Sequence, residues 1–386
     1  MNPAAPADLI PFNLIEDFWR WVEGPRASAN LHCELRFPRS IDEDRLRGAI
    51  AATVAAHPMA RARRRPGRKL DYTAYWQVLD RDELSLDDIL HTVQCQTESE
   101  LDALRGPFFS RHIDIQQAPG LRLLLAQRPD GDSLLFSMNH TICDGVGAYR
   151  VLLSIARAYT GAPDPLPPID PIAARELKSD DFKTAKRAGR RPARAKGRAA
   201  RIHPPAGDRD IPGVGFQHVA LSEADTRSLE PQRLARHATF NDLLLAALLR
   251  AVADWNDRYG VPPAPIVLHA PFNLRPAAWR NEVVANLSLS GELVVAPEHL
   301  VTEEATVAAV LEQRRWLKAG AMARLQTPRW AQYAVVRAMP VLKRWMTASA
   351  ILTNLGRLDP PLDFGPAGEA TEIWVSGAIG MPTGLL

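Results

Sequence analysis

The chain has 386 residues and a net charge of +3, and its apolar fraction of 46% is that of a globular protein with room for two domains. Three scattered cysteines are too few for a disulfide framework or a zinc site, which favours a reducing compartment. The N-terminus lacks a basic start followed by an apolar core, and no uncharged run could span a bilayer. We therefore expect a cytoplasmic protein with no transmembrane segment.

The net positive charge comes from one segment. Nine Lys or Arg and no acidic residue lie between Lys183 and Arg201, and removing them from the net +3 leaves −6 for the rest of the chain. The run contains no aromatic residue and matches no nucleic-acid-binding module, so we expect no nucleic-acid partner. Together with the prolines before it, the run predicts a linker over 161–215, between an N-terminal lobe, 1–160, and a C-terminal lobe, 216–386.

The first lobe is predicted to alternate strands and helices. Apolar residues at every second position predict a strand over Leu31–Phe37. A helix is predicted over Asp42–Ala56, because it begins with acidic residues and ends at His57-Pro58, where proline disfavours a helical residue before it. The remaining apolar patterns predict strands over 59–65, 71–78 and 121–127, and a helix over 97–104.

One stretch of this lobe carries the residue best suited to catalysis. Ser133–Asn139 has the length and composition of a buried strand, and His140 follows at its end. The chain then turns at Asp144-Gly145-Val-Gly147 and continues as a predicted helix over Ala148–Tyr159. A strand end is a rigid platform, and imidazole moves protons near neutral pH. His140 is therefore the candidate general base.

The second lobe is predicted to begin with a strand over Phe216–Leu221, followed by a buried helix after Thr239. A further strand, Ile266–Ala270, precedes Arg275. Ile373–Ala378 is expected to form the last strand of this lobe's sheet. One edge of that strand would then be open, or covered by another part of the chain or another subunit.

The spacing His140-x-x-x-Asp144-Gly145 resembles the HxxxDG motif of the condensation-domain and chloramphenicol-acetyltransferase-like acyltransferases, which include stand-alone condensation enzymes, wax-ester synthases and polyketide-associated acyltransferases. The sequence departs from the superfamily at Asn139, where many members carry a second His. Other segments that resemble the superfamily are Arg61 after His57, Thr239–Asp242, Pro271–Arg275, Val284–Gly291, Leu352–Arg357 and Asp363–Gly365.

This resemblance implies an α/β fold of two chloramphenicol-acetyltransferase-like lobes, with mixed sheets flanked by helices and the active site at the seam between the lobes. It also implies acyl transfer from a thioester to a small alcohol or amine in natural-product biosynthesis, with His140 as general base. The acyl donor would be an acyl-CoA or a phosphopantetheinyl carrier protein. No bound cofactor and no metal are implied.

The resemblance also assigns structural residues at the site. Asp144 is expected to form an ion pair with an arginine, and two arginines match by motif, Arg61 and Arg275. We favour Arg275, because superfamily members with an N-x-R strand end commonly use that arginine. Gly145 and Gly147 have two equally supported interpretations. They allow the chain to turn and pack, or they let a thioester carbonyl approach backbone amides that stabilise its oxyanion.

Several polar residues are candidates for lining a substrate tunnel, although ordinary hydrogen bonding within strands and turns would explain them nearly as well. These are Asn139, Gly147, Asn286, Ser288, Thr353 and Asn354. Cys143 has no basic partner and is interpreted as a packing residue. Asn139 and the altered Asp363–Pro366 segment keep a second hypothesis open, in which a catalytically degenerate module binds a carrier protein or a partner enzyme.

Overall fold

The computed structural model describes residues 9–23, 28–67, 74–165, 175, 199–203, 219–275, 279, 282–325, 334 and 348–377. Its helices are α1 (Leu14–Val22), α2 (Glu43–Ala56), α3 (Glu98–Ser110), α4 (Gly145–Thr160), α5 (Glu223–Ala235), α6 (Phe240–Arg258) and α7 (Glu303–Leu325). Its strands are β1 (Leu9–Pro11), β2 (Asn30–Arg36), β3 (Ala62–Arg64), β4 (Tyr75–Val78), β5 (Leu90–Gln94), β6 (Leu121–Gln127), β7 (Ser133–Asn139), β8 (Ile266–Asn273), β9 (Ser288–Val295), β10 (Ala350–Ile351) and β11 (Glu372–Ser376).

A five-stranded mixed sheet with the order β11-β2-β7-β6-β5 forms the centre of the first lobe. In this sheet β5 and β6 are parallel, and the other neighbours are antiparallel. All seven residues of β7 are buried, which explains why this strand reads as a continuous apolar run in sequence. A small antiparallel sheet, β1-β4-β3, lies in the same half of the chain.

Helices α2 and α4 supply the apolar side chains that cover this sheet. Ile50 of α2 and Ile155 of α4 share one buried cluster with Leu35 of β2 and Phe136 of β7, and all four are 0% exposed. Each such side chain stabilises the fold by about 1.5–3 kcal/mol relative to an exposed position. Because α4 is buried along most of its length, its first residue is fixed relative to the end of β7.

The second lobe has a smaller mixed sheet with the order β10-β8-β9. Its apolar core is formed with α6 and α7, and Leu249, Leu268, Leu293 and Val310 are all fully buried in it. The mixed α/β fold expected from the sequence, with sheets flanked by helices in two lobes, is confirmed. No helix in the described ranges is long and apolar enough to cross a membrane.

The position of the last strand differs from the sequence-based expectation. β11 pairs antiparallel with β2, with Ile373 opposite Leu35, so it belongs to the sheet of the first lobe and not the second. Leu362 and Phe364, which precede it, are 0% exposed in the first lobe's core. The expectation was wrong because a strand's apolar pattern identifies its buried face but not the strand beside it.

Within the described residues, β11 borders β2 alone and forms one edge of the sheet. Its Trp374 is covered by the guanidinium groups of Arg36 and Arg105, which lie 4.2 and 5.0 Å from the ring centroid. Charged side chains over an edge strand discourage pairing with another chain.

Some predicted elements lie outside the described residues. These are most of the 161–215 linker, residues 216–218 and the residues after 377. Val219–Leu221 is described and is not a strand. The strand expected over 59–65 begins instead as a 3₁₀ turn, Pro58–Arg61, because proline at its first position favours a helical turn. The lobe boundaries themselves stay a prediction.

Three buried histidines predict a loss of stability in mild acid. Burial lowers the pKa of His32 to about 3, and those of His57 and His140 to about 4, from 6.5. As the pH falls from 6.5 to about 4, only the unfolded chain takes up these protons. The free energy of unfolding then falls by up to about 1.4 kcal/mol per pH unit for each histidine.

Glu23 opposes this trend, because burial raises its pKa to about 7 and its contribution to stability is present below 4.5 and lost as the pH rises through 7. On going from about pH 7 to about pH 5, the three histidines together lower the free energy of unfolding by more than Glu23 raises it. The urea concentration at the midpoint of unfolding should therefore be lower at about pH 5 than at about pH 7. In His57→Gln, unfolding should take up about one proton fewer, so the free energy of unfolding should change less steeply with pH. An equal midpoint at both pH values would contradict the assignment of these histidines as neutral.

Candidate active site

His140 lies directly after β7, with its backbone tied to the first lobe and to the second. Its N–H donates to the Ala29 carbonyl at 2.5 Å, and its carbonyl accepts from Asn286 Nδ2 at 2.5 Å. Asn286 precedes β9 of the second lobe and is 0% exposed. His140 is therefore held at the seam between the lobes.

The His140 imidazole is neutral near pH 7. Burial lowers its pKa to about 4, although nearby backbone groups and the Asp144 carboxylate favour the charged form and oppose the effect of burial. Its Nδ1 atom is buried and has no hydrogen-bond partner in the described part of the chain. The backbone carbonyls of His140 and Cys143 lie near the ring, but neither completes a hydrogen bond of ordinary geometry with Nδ1.

Asp144 caps the first turn of α4 and forms a buried ion pair with Arg275. Its Oδ1 accepts from the Gly147 N–H at 2.9 Å, and its Oδ2 accepts from the Leu287 N–H at 2.9 Å. The Arg275 guanidinium donates to both oxygens, with Nη1–Oδ2 at 2.7 Å and Nη2–Oδ1 at 2.8 Å. Burial alone would raise the pKa of Asp144, but the Arg275 charge and these hydrogen bonds hold it below its usual range.

Of the two arginines that match by motif, Arg275 is the one that contacts Asp144. Arg275 also donates to the carbonyls of Val283 and Ala285, so its guanidinium is surrounded by acceptors. Arg61 lies in the 3₁₀ turn before β3 and donates to the Leu79 carbonyl. Arg61 is therefore not the ion-pair partner of Asp144, and its hydrogen bond serves a local turn. A role for Arg61 at the site stays a prediction.

Close approach of other segments explains both glycines. A Cβ on Gly147 would lie 2.8 Å from Cys143 Cβ and 3.2 Å from the Ala285 carbonyl oxygen, and a Cβ on Gly145 would lie 2.5 Å from Leu355 Cδ2. The Gly147 N–H is already bonded to Asp144, so it is not a free oxyanion donor. The packing interpretation therefore fits Gly147, which is not a tunnel residue.

Asn139 does not line a tunnel. It is 0% exposed, and its Nδ2 donates to Glu23 Oε1 at 2.7 Å and to the Ile113 carbonyl at 3.0 Å. Its Oδ1 accepts from the Thr141 N–H at 2.8 Å. Both donor hydrogens of the amide are used, so the side chain braces the backbone on either side of His140. Sequence alone could not reveal partners that lie so far away in the chain.

The other tunnel candidates separate into two groups. Asn286 contacts the His140 carbonyl, and its Oδ1 is buried without a hydrogen-bond partner among the described residues. Ser288 is half-buried at the start of β9. Thr353 and Asn354 are exposed on the loop after β10, where Asn354 Oδ1 accepts from the Gly356 N–H at 2.8 Å. Asn286 is thus the candidate from the second lobe whose side chain bonds His140 in the described residues.

Cys143 is fully buried, and burial raises the pKa of its thiol. Its Sγ lies 3.4 Å from Met138 Sδ, in the same apolar core, as expected of a packing residue. In the described residues there is no group of three or more His, Cys, Asp or Glu side chains that could hold a metal ion.

Two residues at the site were not identified from the sequence, and both belong to α1. Trp19 stacks on the His140 ring, with ring centroids 3.9 Å apart and planes 19° from parallel. Glu23 ends the helix and accepts from Asn139. One signal was available, since Asn13 and Glu16 have the spacing of a capping box, which the structure forms.

Solved structures of condensation domains share this fold over nearly the whole chain. The first condensation domain of the CDA synthetase superposes with a TM-score of 0.64 at 14% identity, covering 95% of this chain and 87% of that domain. The X-domain from teicoplanin biosynthesis superposes with a TM-score of 0.57 at 17% identity, covering 99% of this chain and 84% of that domain. The fold of this chain is therefore that of condensation domains.

Sequence relatives agree with this class. An uncharacterized protein of Mycobacterium tuberculosis is 32% identical over 372 residues, covering 91% of this chain and 84% of the relative. Surfactin synthase subunit 1 of Bacillus subtilis is 25% identical over 246 residues, which cover 59% of this chain and 7% of the synthase. No protein-family model matches the chain. The chain therefore belongs to the same family as the mycobacterial protein, and its fold is that of condensation domains.

The same substitution at the two motif arginines should lower the stability by very different amounts. Arg275→Met should lower the free energy of unfolding by about 3–5 kcal/mol, because it leaves the Asp144 carboxylate buried without a countercharge. Arg61→Met removes a guanidinium that bonds a backbone carbonyl, and should cost no more than about 1.5 kcal/mol. Urea unfolding of both variants measures the difference, and equal costs would contradict the central place of the ion pair.

Gly147 and Gly48 make a second matched pair. Gly147→Ala should lower the free energy of unfolding by about 1–3 kcal/mol, because the new methyl group would meet the Ala285 backbone. Gly48 lies inside α2, where an added Cβ would have no other atom within 4 Å, so Gly48→Ala should raise stability by about 0.5–1 kcal/mol. If Gly147→Ala is neutral in thermal unfolding, the packing explanation of this glycine fails.

Proposed function

We propose that this chain is an acyltransferase of the condensation type, which moves an acyl group from a thioester to an alcohol or amine. The observation that carries the proposal is the state of His140. It is a neutral imidazole at the end of a rigid strand, at the seam between lobes, beside a carboxylate whose two oxygens are occupied by Arg275. Such a histidine is free to accept a proton, and Asp144 is not.

The reaction follows from that arrangement. The neutral imidazole accepts the proton of the attacking hydroxyl or amine while the new C–O or C–N bond forms at the thioester carbonyl carbon. The tetrahedral intermediate then collapses with cleavage of the C–S bond. The imidazolium returns its proton to the departing thiolate, so no other co-reactant is required.

Unsatisfied polar atoms beside His140 support a substrate-binding role for the seam. Thr141 Oγ1 and Asn286 Oδ1 are both buried and have no hydrogen-bond partner in the described part of the chain. A buried polar atom without a partner costs about 1–3 kcal/mol, which a bound substrate can recover by hydrogen bonding. Asn286 Nδ2 already donates to the His140 carbonyl, so the Asn286 atom without a partner is Oδ1, which can accept a hydrogen bond from a ligand.

A second candidate is a module that binds a carrier protein or a partner enzyme without catalysis. Asn139 favours it, because the position of the second His is filled by an amide that is fully used in bracing the backbone. The solved structures that share the fold include condensation, epimerization and X domains, so the fold does not select one reaction.

One experiment distinguishes the two candidates. The protein is incubated with a panel of acyl-CoA thioesters and acylated carrier proteins together with mixed alcohols and amines, and products are detected by mass spectrometry. His140→Ala should lower the rate by about 10²–10⁴-fold, because a general base is lost. His91→Ala is the matched control, since His91 is exposed on β5, and it should leave the rate unchanged.

Circular dichroism and thermal unfolding establish that both histidine variants are folded. Full activity of His140→Ala would remove His140 from the mechanism. Tight carrier binding by the unmodified protein, with no acyl product from any donor, would favour the binding module.

A further inference from the structure

Helix α1 brings an aromatic face to His140 from a segment outside the HxxxDG motif. Trp19 and the imidazole are stacked nearly parallel, at 3.9 Å between centroids. Trp19 also packs against a buried cluster formed by Ile15 of α1 and Leu274 of the second lobe. The indole therefore contacts both the His140 ring and an apolar cluster that includes a residue of the second lobe.

The hydrogen bond that commonly fixes the orientation of a catalytic histidine is incomplete at His140, because the backbone carbonyls of His140 and Cys143 lie near the ring without forming a bond of ordinary geometry with Nδ1. That bond is made at the nitrogen that faces away from substrate, and it sets the tautomer and the ring plane. Here Nδ1 has no such partner in the described residues. Rotation about χ2 of histidine is otherwise a broad, roughly two-fold motion, so another contact has to restrict it.

Helix α1 is itself held at both ends, so that it can serve as a fixed platform. At its start, Glu16 accepts from Arg175 Nε at 2.7 Å and from Trp76 Nε1 at 3.1 Å, and all three side chains are buried. At its end, Glu23 accepts from Asn139 at 2.7 Å. The residue that precedes His140 and the helix that carries Trp19 are thus joined directly.

We infer that Trp19 is a positioning residue, which holds the His140 ring by stacking in the plane needed for proton transfer. The inference rests on the proposed function of His140. Proton transfer to imidazole occurs through a nitrogen lone pair in the plane of the ring. Covering one ring face therefore leaves the reactive edge open while it restricts rotation of the plane.

The kinetic test compares three tryptophan variants of the full chain. Trp19→Leu keeps an apolar side chain but removes the flat face, and should lower kcat by about 10- to 100-fold with KM changed by less than about twofold. Trp19→Phe restores a flat ring and should recover most of kcat. Trp255→Leu is the matched control, because Trp255 is also partly buried but bonds the His203 carbonyl, and it should change kcat by less than about twofold.

A measurement that does not need turnover tests the stack itself. In protein labelled with ¹³C-histidine, the His140 ring signal, identified among the ten histidines by its loss in His140→Gln, should be shifted upfield by the indole ring current. The shift should disappear in Trp19→Leu and persist in part in Trp19→Phe. Absence of the shift in the unmodified protein would overturn the inference.

The two proposals fail in different ways. If the ring-current shift is present but Trp19→Leu retains full kcat, the positioning role is wrong and the general-base proposal stands. If His140→Ala is fully active, the general-base proposal fails whatever the spectrum shows. An equal loss of kcat in Trp19→Leu and Trp19→Phe would also overturn the inference, because a flat ring would then not be the feature required.

Discussion

The buried ion pair between Asp144 and Arg275 joins residues 131 positions apart, and the rest of the site depends on it. Removing two charges from water is costly, and their attraction offsets that cost only when the remaining hydrogen bonds are also made. Here they are made, since the carboxylate accepts from two backbone N–H groups and the guanidinium donates to two carbonyls. The pair therefore fixes the start of α4 against the segment before β9.

This constraint separates the roles of the two motif residues. Both Asp144 oxygens are occupied by Arg275 and by backbone N–H groups, so the carboxylate links the first lobe to the second. His140 follows a fully buried strand, and burial lowers its pKa to about 4, so its ring is neutral near pH 7, as the proposed general base requires. The Asn139 amide, which takes the place of a second histidine, is part of a second brace that runs to Glu23 on α1. Asn139, which stands where many superfamily members have a histidine, is thus held by hydrogen bonds to Glu23, Ile113 and Thr141.

Local patterns predicted the elements nearest the site well. Ser133–Asn139 and Leu121–Gln127 are strands over the predicted ranges, and α4 begins three residues before the predicted helix because Asp144 caps it. Apolar periodicity and capping act over a few residues, so they can be read from sequence. Helix α1 was missed despite its capping box, and with it Trp19. Arg61 matched a motif position but has no contact with Asp144 among its hydrogen bonds.

The sequence by itself determined the strand–turn–helix around His140 and the position of helix α6, because periodicity and caps are local properties, and the resemblance to the superfamily gave the preference for Arg275. Helix α6 is buried on one face only, since Phe240 and Leu244 are exposed. Only the tertiary structure decided that β11 pairs with β2, that Asn139 bonds Glu23, and that Trp19 stacks on His140. Those contacts join segments more than 100 residues apart. Their partners are selected by the packing of whole layers against one another, and no pattern within a single segment encodes that choice.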